Sequence, residues 1–195
     1  MELLEARKIA IDICYLLQPH CSKINIAGSI RRKKPEVKDI EIVCSPNIYV
    51  ASDLFGNALQ SQRSAAFAQV ANSLGRIIKG DAAAGRYMQI ELSNKLKLDL
   101  FIPDEADFYR QLAIRTGSAD YSHQAIAGAW KKLGWCGSDL GLRRISDCIE
   151  LRQTDGKSKW KCINQNGELP PVWKSEEDFF YWLNVKYLAP EKRYI

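Results

Sequence analysis

The chain has 195 residues, of which 46% are hydrophobic and 26% charged, and it carries a formal net charge of +5. That length supports one domain or two small subdomains with a real core, and that balance excludes a disordered chain. The charge favours a polyanionic partner only mildly, no apolar run is long enough to span a bilayer, and the opening MELLEARK lacks a signal-peptide core.

In chain order, residues 2–18 carry Leu3, Leu4, Ala10, Ile13, Leu16 and Leu17 at helical spacing, closed by Pro19. This predicts an amphipathic helix covering one side of a sheet. Residues 23–27 alternate as a strand, and Gly28-Ser29 makes a turn that opens a short helical turn through Arg32. Pro35 interrupts the basic run Arg31-Arg32-Lys33-Lys34 before a second strand, DIEIV, from Asp39 to Val43. Residues 46–60 read as a loop, and 61–74 (SQRSAAFAQVANSL) as a helix ended near Gly75. Residues 76–79 form a short strand, 80–85 a turn and 86–92 a strand. A tight Ser93-Asn94 turn then leads into a strand over 95–101. The Gly80-to-Gly85 stretch has P-loop spacing, but Arg86-Tyr87 stands where the motif needs Lys-Ser/Thr, so it reads as a plain turn.

Beyond Pro103 the character changes, and a soft boundary there gives residues 1–104 and 105–195 as two units. Two helices, over 106–115 and 121–133, are joined through Thr116-Gly117-Ser118. Short strand-like pieces rich in Lys and Arg follow between 135 and 164 (GLRRIS, CIELR, KWKCIN). A final helix over 175–183 has Ser175 as N-cap and Glu176, Glu177 and Asp178 in its first turn. The basic residues Lys131, Lys132, Arg143, Arg144, Arg152, Lys157, Lys159 and Lys161 make either a solvated face or a backbone track for nucleic acid. Trp130, Trp135, Trp160, Trp173 and Trp182 read as core or interface residues before stacking surfaces. His123 reads as an exposed helix residue. The six cysteines are scattered without CxxC pairing, so reduced thiols in a cytosol-like compartment are expected; Cys14, His20 and Cys21 have no fourth ligand at zinc spacing.

The chemistry gathers on two strands. Side chains alternate across a strand, so Asp39 and Glu41 share one face of DIEIV while Ile40 and Ile42 share the other. In LKLDLFI, Leu96, Leu98, Leu100 and Ile102 share the apolar face, and Lys97, Asp99 and Phe101 the opposite one. Paired as sheet neighbours, the two strands bring Asp99 onto the face of Asp39 and Glu41. Three converging carboxylates suit hard divalent cations, and Gly28-Ser29 with the following cations offers anion-binding chemistry beside them. The combination reads as a nucleotidyl-transfer site.

These stretches, GSIRR, DIE, LDLF, RTGSADYSHQAIAGAWKKLGW and SEEDFFYWLNVKYLAPEKR, resemble in order the family X DNA polymerases of the DNA polymerase beta superfamily, over residues 24–193. The size is similar to that of reduced members that keep only palm and thumb. The resemblance implies an α+β fold: a nucleotidyltransferase-type palm with mixed β-sheet and flanking helices, plus a small α/β thumb. It implies gap-filling DNA synthesis by two-metal transfer to a primer 3′-hydroxyl. Asp39, Glu41 and Asp99 would be the metal ligands and catalytic carboxylates, with Asp99 nearest the primer hydroxyl. Gly28, Ser29 and Arg32 would hold the triphosphate of the incoming nucleotide, Thr116, Gly117 and Ser118 would flank its sugar and base, and Ser122 would lie at the base edge. Mg²⁺ is the implied cofactor, with Mn²⁺ as a substitute. The implied partners are gapped or primer-template DNA and nucleoside triphosphates, with no membrane, for a monomer in the cytoplasm or nucleoid.

The sequence departs from the family pattern in places. Glu41 stands where most members have Asp. Ile114 and Arg115 stand where members commonly place two aromatics that help exclude ribonucleotides, and Ile126 where several place an Arg that probes the template strand. Two other classes stay open: a template-independent or non-DNA nucleotidyltransferase with an RNA, protein or small-molecule acceptor, and an inactive nucleic-acid-binding module.

Overall fold

Ala6, Ala10, Ile13 and Leu17 fall on one stripe of helix α1 (Leu3–Leu17) and are buried, while Leu4, Ile11 and Tyr15 on the outer side stay exposed. Pro19 ends the helix in a 3₁₀ turn at Gln18–His20. The computed structural model describes residues 1–52, 58–154 and 158–195. After α1 come β1 (Cys21–Ile26), the single turn α2 (Gly28–Arg31), β2 (Asp39–Pro46), β3 (Ile48–Ser52), β4 (Ala58–Arg63) and α3 (Ala65–Ser73). The strands β5 (Arg76–Gly80), β6 (Tyr87–Glu91) and β7 (Lys97–Phe101) complete the first half.

Five of these strands form a mixed sheet in the order β1-β2-β7-β6-β5, with β2 and β7 parallel and the other neighbours antiparallel. One face is apolar, as the alternation predicts: Ile40, Ile42, Met88, Ile90, Leu98 and Leu100 are fully buried beneath α1 and α3, whose Phe67 and Ala71 are buried with them. Each such side chain contributes about 1.5–3 kcal/mol, so this layer fixes the register of β2 against β7. Cys14 and Cys21 pack against the same core and Cys44 is buried in it; all six cysteines of the chain are free thiols. Burial, reinforced by the neighbouring Cys21, pushes the Cys14 thiol up to about 11.

The stretch 46–60 is not the loop that its sequence suggests. β3 and β4 pair as an antiparallel hairpin, Tyr49 opposite Gln62, and residues 53–57 of that stretch lie outside the described residues. The hairpin stands apart from the main sheet, and Ile48 and Tyr49, adjacent residues on it, are both exposed, so the alternation that marks a half-buried strand is missing there. The neighbouring helix starts later than 61 for a related reason. Residues 61–63 belong to β4, and Ser64 is the N-cap, its hydroxyl accepting from Phe67 N at 3.4 Å.

The second half begins with α4 (Phe108–Thr116). The next helix is divided into α5 (Ala119–Tyr121), a π-helical stretch at Ser122–Ala127, and α6 (Gly128–Lys132). Strands β8 (Trp135–Ser138), β9 (Gly141–Arg144), β10 (Cys148–Arg152) and β11 (Ser158–Cys162) form a second mixed sheet in the order β10-β11-β8-β9, and α7 (Glu176–Trp182) follows, capped by the Ser175 hydroxyl. Trp130, Trp135 and Trp173 are buried with Phe179 and Phe180 in the core of this half, and Trp182 packs against it. Trp160 packs on a small cluster of Cys136, Cys148 and Cys162. A further cluster joins the halves: Val43 and Phe101 from the sheet, with Ala27 just after β1, meet Phe108 and Leu112 of α4. Among the described residues no helix is long and apolar enough to cross a membrane.

Candidate active site

The parallel pairing of β2 and β7 sets Glu41 opposite Asp99 and Asp39 opposite Lys97. Because the even-numbered residues of both strands are in the core, these odd-numbered carboxylates share the other face. Farther along that face Val43 and Phe101 are roofed by Phe108 and Leu112, so α4 closes one end of the acidic patch. Arg115 lies one turn beyond Leu112, and its guanidinium sits 4.0 Å from the centroid of the Phe101 ring.

The three carboxylates lack a close cation. Among the described residues none of them makes an ion pair within 4.0 Å, whereas Asp104, Asp107, Glu91 and Glu176 all do. Burial, followed by repulsion from Asp39, pushes the Glu41 carboxyl up to about 7 against the partial relief given by Arg115 and Arg32. Burial and then Asp99 raise Asp39 as well. A hard divalent cation is the natural complement of such an oxygen set, and it would draw the protons off. The side chains are not closed into a ready-made cage: among the described residues no group of three or more His, Cys, Asp or Glu is gathered tightly enough to hold a metal ion.

The sign of the Glu41 shift carries a stability consequence. A carboxyl whose folded value lies above its ordinary 4.5 contributes stability below pH 4.5 that is lost as pH rises through about 7. In metal-free buffer Glu41→Gln is therefore expected to raise stability at pH 8 by on the order of 2–3 kcal/mol, shrinking to under about 1 kcal/mol by pH 5. Urea melts at the two pH values check this, and equal midpoints at pH 8 would refute it.

Gly28 explains the form of the turn. Its φ is +60°, which favours glycine, and a Cβ at this position would run into the Glu41 carboxylate. Ala27 N donates to Glu41 O at 2.8 Å, so the turn is stitched to β2 at the acidic residue. Two polar atoms of this turn, Ser29 Oγ and Arg32 Nε, are buried without a hydrogen-bond partner among the described residues. Such orphans fit a site that receives an oxyanion.

Arg32 and Glu41 also line a cleft of about 440 Å³ with Ile114, Arg115, Gly117, Ser122 and His123. Arg32 is aimed there by Nη1, which donates to Thr116 O at 2.5 Å and Gly117 O at 2.9 Å. Gly117 is needed for close approach, since a Cβ there would press on Ser122 Oγ and the Tyr121 ring. Ser122 donates to Ile114 O at 2.7 Å. Ser118 caps α5, its hydroxyl accepting from Tyr121 N at 3.2 Å. Thr116 is wholly buried: its hydroxyl donates to Leu112 O and accepts from Arg31.

The structure thus brings together Asp39, Glu41 and Asp99 on one face, and Arg32, Glu41, Gly117 and Ser122 around one cleft, while Thr116 and Ser118 serve the backbone behind it. His123, read as an exposed helix residue, is exposed and also forms part of the cleft wall. Of the basic residues in the second half, Lys131, Lys132, Arg152, Lys159 and Lys161 are exposed, and Lys157 lies outside the described residues. Arg144 is committed elsewhere, bonded twice to Glu168 and stacked 4.3 Å from the Trp135 centroid.

The sequence reading missed three side chains that shape this region. Tyr87 and Gln89 on β6 both donate to Asp99; their spacing and the Ser93-Asn94 turn were the available signal, because a hairpin register puts Gln89 opposite Asp99. Glu176 of α7 is gripped by Arg31 and by Arg193. No sequence signal reaches that far. The chain matches no protein-family model, and a search of curated proteins finds no match to it.

Proposed function

We propose that this chain is a DNA polymerase of the family X type, which adds a deoxynucleotide to a primer 3′-hydroxyl in short-gap filling and releases pyrophosphate. The observation that carries the reading is the β2–β7 register, which sets Glu41 opposite Asp99 with Asp39 beside them and the Gly28-Ser29 turn against Glu41. The lack of a close cation and the raised carboxyl of Glu41 support Mg²⁺ ligation by Asp39, Glu41 and Asp99, with Mn²⁺ as substitute. Asp39, Glu41 and Asp99 would hold the cation, which would supply neutralisation of phosphate charge and a lowered pKa for the attacking hydroxyl. Ser29 Oγ and Arg32 Nε, without partners of their own, bind the triphosphate. Gly117, Ser118 and Ser122, with Thr116 behind them, shape the cleft for the sugar and base. Asp99 faces the acceptor hydroxyl. In this reading residues 1–104 are the palm and 105–195 the thumb, whose exposed Lys131, Lys132, Lys159 and Lys161 supply contacts to the DNA backbone.

A second reading, transfer to an acceptor other than a DNA primer, is favoured by Ile114 and Arg115 at the cleft wall, where a guanidinium offers hydrogen bonds to a ribose. One assay separates them: extension across a one-nucleotide gap with Mg²⁺ or Mn²⁺, each dNTP and rNTP offered singly, beside a template-free strand. Incorporation of only the complementary dNTP is the expected result. Equal use of rNTPs or extension without template would move the assignment to the second reading, and no incorporation of any nucleotide would overturn the first.

A further inference from the structure

Asp99 differs from its two neighbours in that one of its oxygens is already spoken for. Tyr87 and Gln89 lie two residues apart on β6 and so project from the face that carries Asp99, with Gln89 directly opposite it in the antiparallel register. The Tyr87 hydroxyl and Gln89 Nε2 donate to the same atom, Oδ1, at 2.5 and 2.8 Å. Among the described residues no donor is bonded to Oδ2. Tyr87 is itself held in place: its ring centroid is 5.3 Å from that of Phe101, and the Lys79 ammonium lies 5.2 Å from it. Asp39 and Glu41 have no side-chain donor of this kind among the described residues.

We infer that Tyr87 and Gln89 are positioning residues for Asp99, capping Oδ1 so that Oδ2 is the single oxygen presented beside Glu41. A carboxylate free to turn offers two equivalent oxygens in many orientations. Two donors on one oxygen, both carried by the neighbouring strand, fix its torsion before any ligand arrives, and groups that orient a ligating carboxylate govern its affinity. The inference rests on the nucleotidyl-transfer reading above and adds to it the means by which Asp99 is aimed.

The test is Mn²⁺ titration of the full chain, followed by electron paramagnetic resonance, beside single-nucleotide incorporation, for the wild type, Tyr87→Phe, Gln89→Met and the double variant. Mn²⁺ affinity is expected to fall about tenfold in each single variant and up to about a hundredfold in the double one. The turnover number should fall with it, and KM for the triphosphate should change less than about threefold, because Ser29 and Arg32 are untouched. A variant that melts earlier but binds Mn²⁺ as tightly as the wild type overturns the inference. Tyr87→Phe removes one oxygen atom only and decides the matter alone where the double variant does not fold. A wild type that binds Mn²⁺ but incorporates nothing overturns the polymerase reading, while loss of Mn²⁺ affinity in the variants still supports the positioning role. A wild type that does not bind Mn²⁺ overturns both.

Discussion

Glu176→Ala is expected to cost about 3–5 kcal/mol of folding stability, enough to unfold a marginal domain near room temperature. The Glu176 carboxylate is buried and receives four N–H donors, two from Arg31 at 2.9 Å and two from Arg193 at 2.7 and 3.0 Å. Arg193 is wholly inaccessible, stacked 4.8 Å from the Phe180 centroid, and its Nε donates to Leu188 O. Removing the acid leaves an uncompensated guanidinium in an apolar surround, which costs far more than the pair gains when intact. Burial alone would push the Glu176 carboxyl up, but the hydrogen bonds from Arg193 and Arg31 outweigh it and hold the group below its ordinary 4.5. A depressed carboxyl contributes stability that is present above about pH 4.5 and is lost as pH falls through its folded value. The wild type should therefore lose stability on acidification below pH 4.5 more steeply than Glu176→Gln. Urea melts between pH 3 and pH 7 test both points, and a Glu176→Ala midpoint within about 1 kcal/mol of the wild type would show that the triad is not a lock.

The second large effect concerns chemistry. Asp39→Ala is expected to reduce nucleotide incorporation by on the order of 10³-fold or more, since it would remove a ligand of the proposed divalent cation, whose charge would offset that developing on the phosphates. The fold should not suffer. Asp39 is raised first by burial and then by Asp99, so in the absence of metal its charge is a liability, and the variant should melt at or above the wild-type temperature. Affinity for gapped DNA should change less than about threefold, because the proposed backbone contacts are those of the exposed lysines of the second half, away from Asp39. Incorporation rates, melting curves and DNA titrations measured together check this, and a fully active Asp39→Ala would remove the carboxylate from the mechanism.

Much of this site was legible because it is written in strand alternation. DIEIV and LKLDLFI each carry an unbroken apolar face and a polar one, and burying the first dictates where Asp39, Glu41 and Asp99 point. The helices over Leu3–Leu17 and Glu176–Trp182 were likewise announced by their apolar stripe and by the Ser175 cap. The hairpin of β3 and β4 could not be read, because it lies outside the main sheet and its adjacent Ile48 and Tyr49 are both exposed, against the alternation of a half-buried strand. The Arg31–Glu176 bond joins residues 145 apart in the chain, and nothing in the local run Arg31-Arg32-Lys33-Lys34 tells which guanidinium is structural and which is open to a ligand. Geometry alone divides them: Arg31 turns to Glu176 and Thr116, and Arg32 turns to the cleft.

The pairing of β2 with β7 has a kinetic meaning as well. The β6–β7 hairpin closes across a short turn, whereas β2 meets β7 across the intervening hairpin, helix and strands, a non-local closure that is expected to be slower. The acidic face is created by that slow, non-local step. Glu41 comes beside Asp99 only when that pairing forms, so the acidic face belongs to the assembled sheet and to no local stretch of the chain.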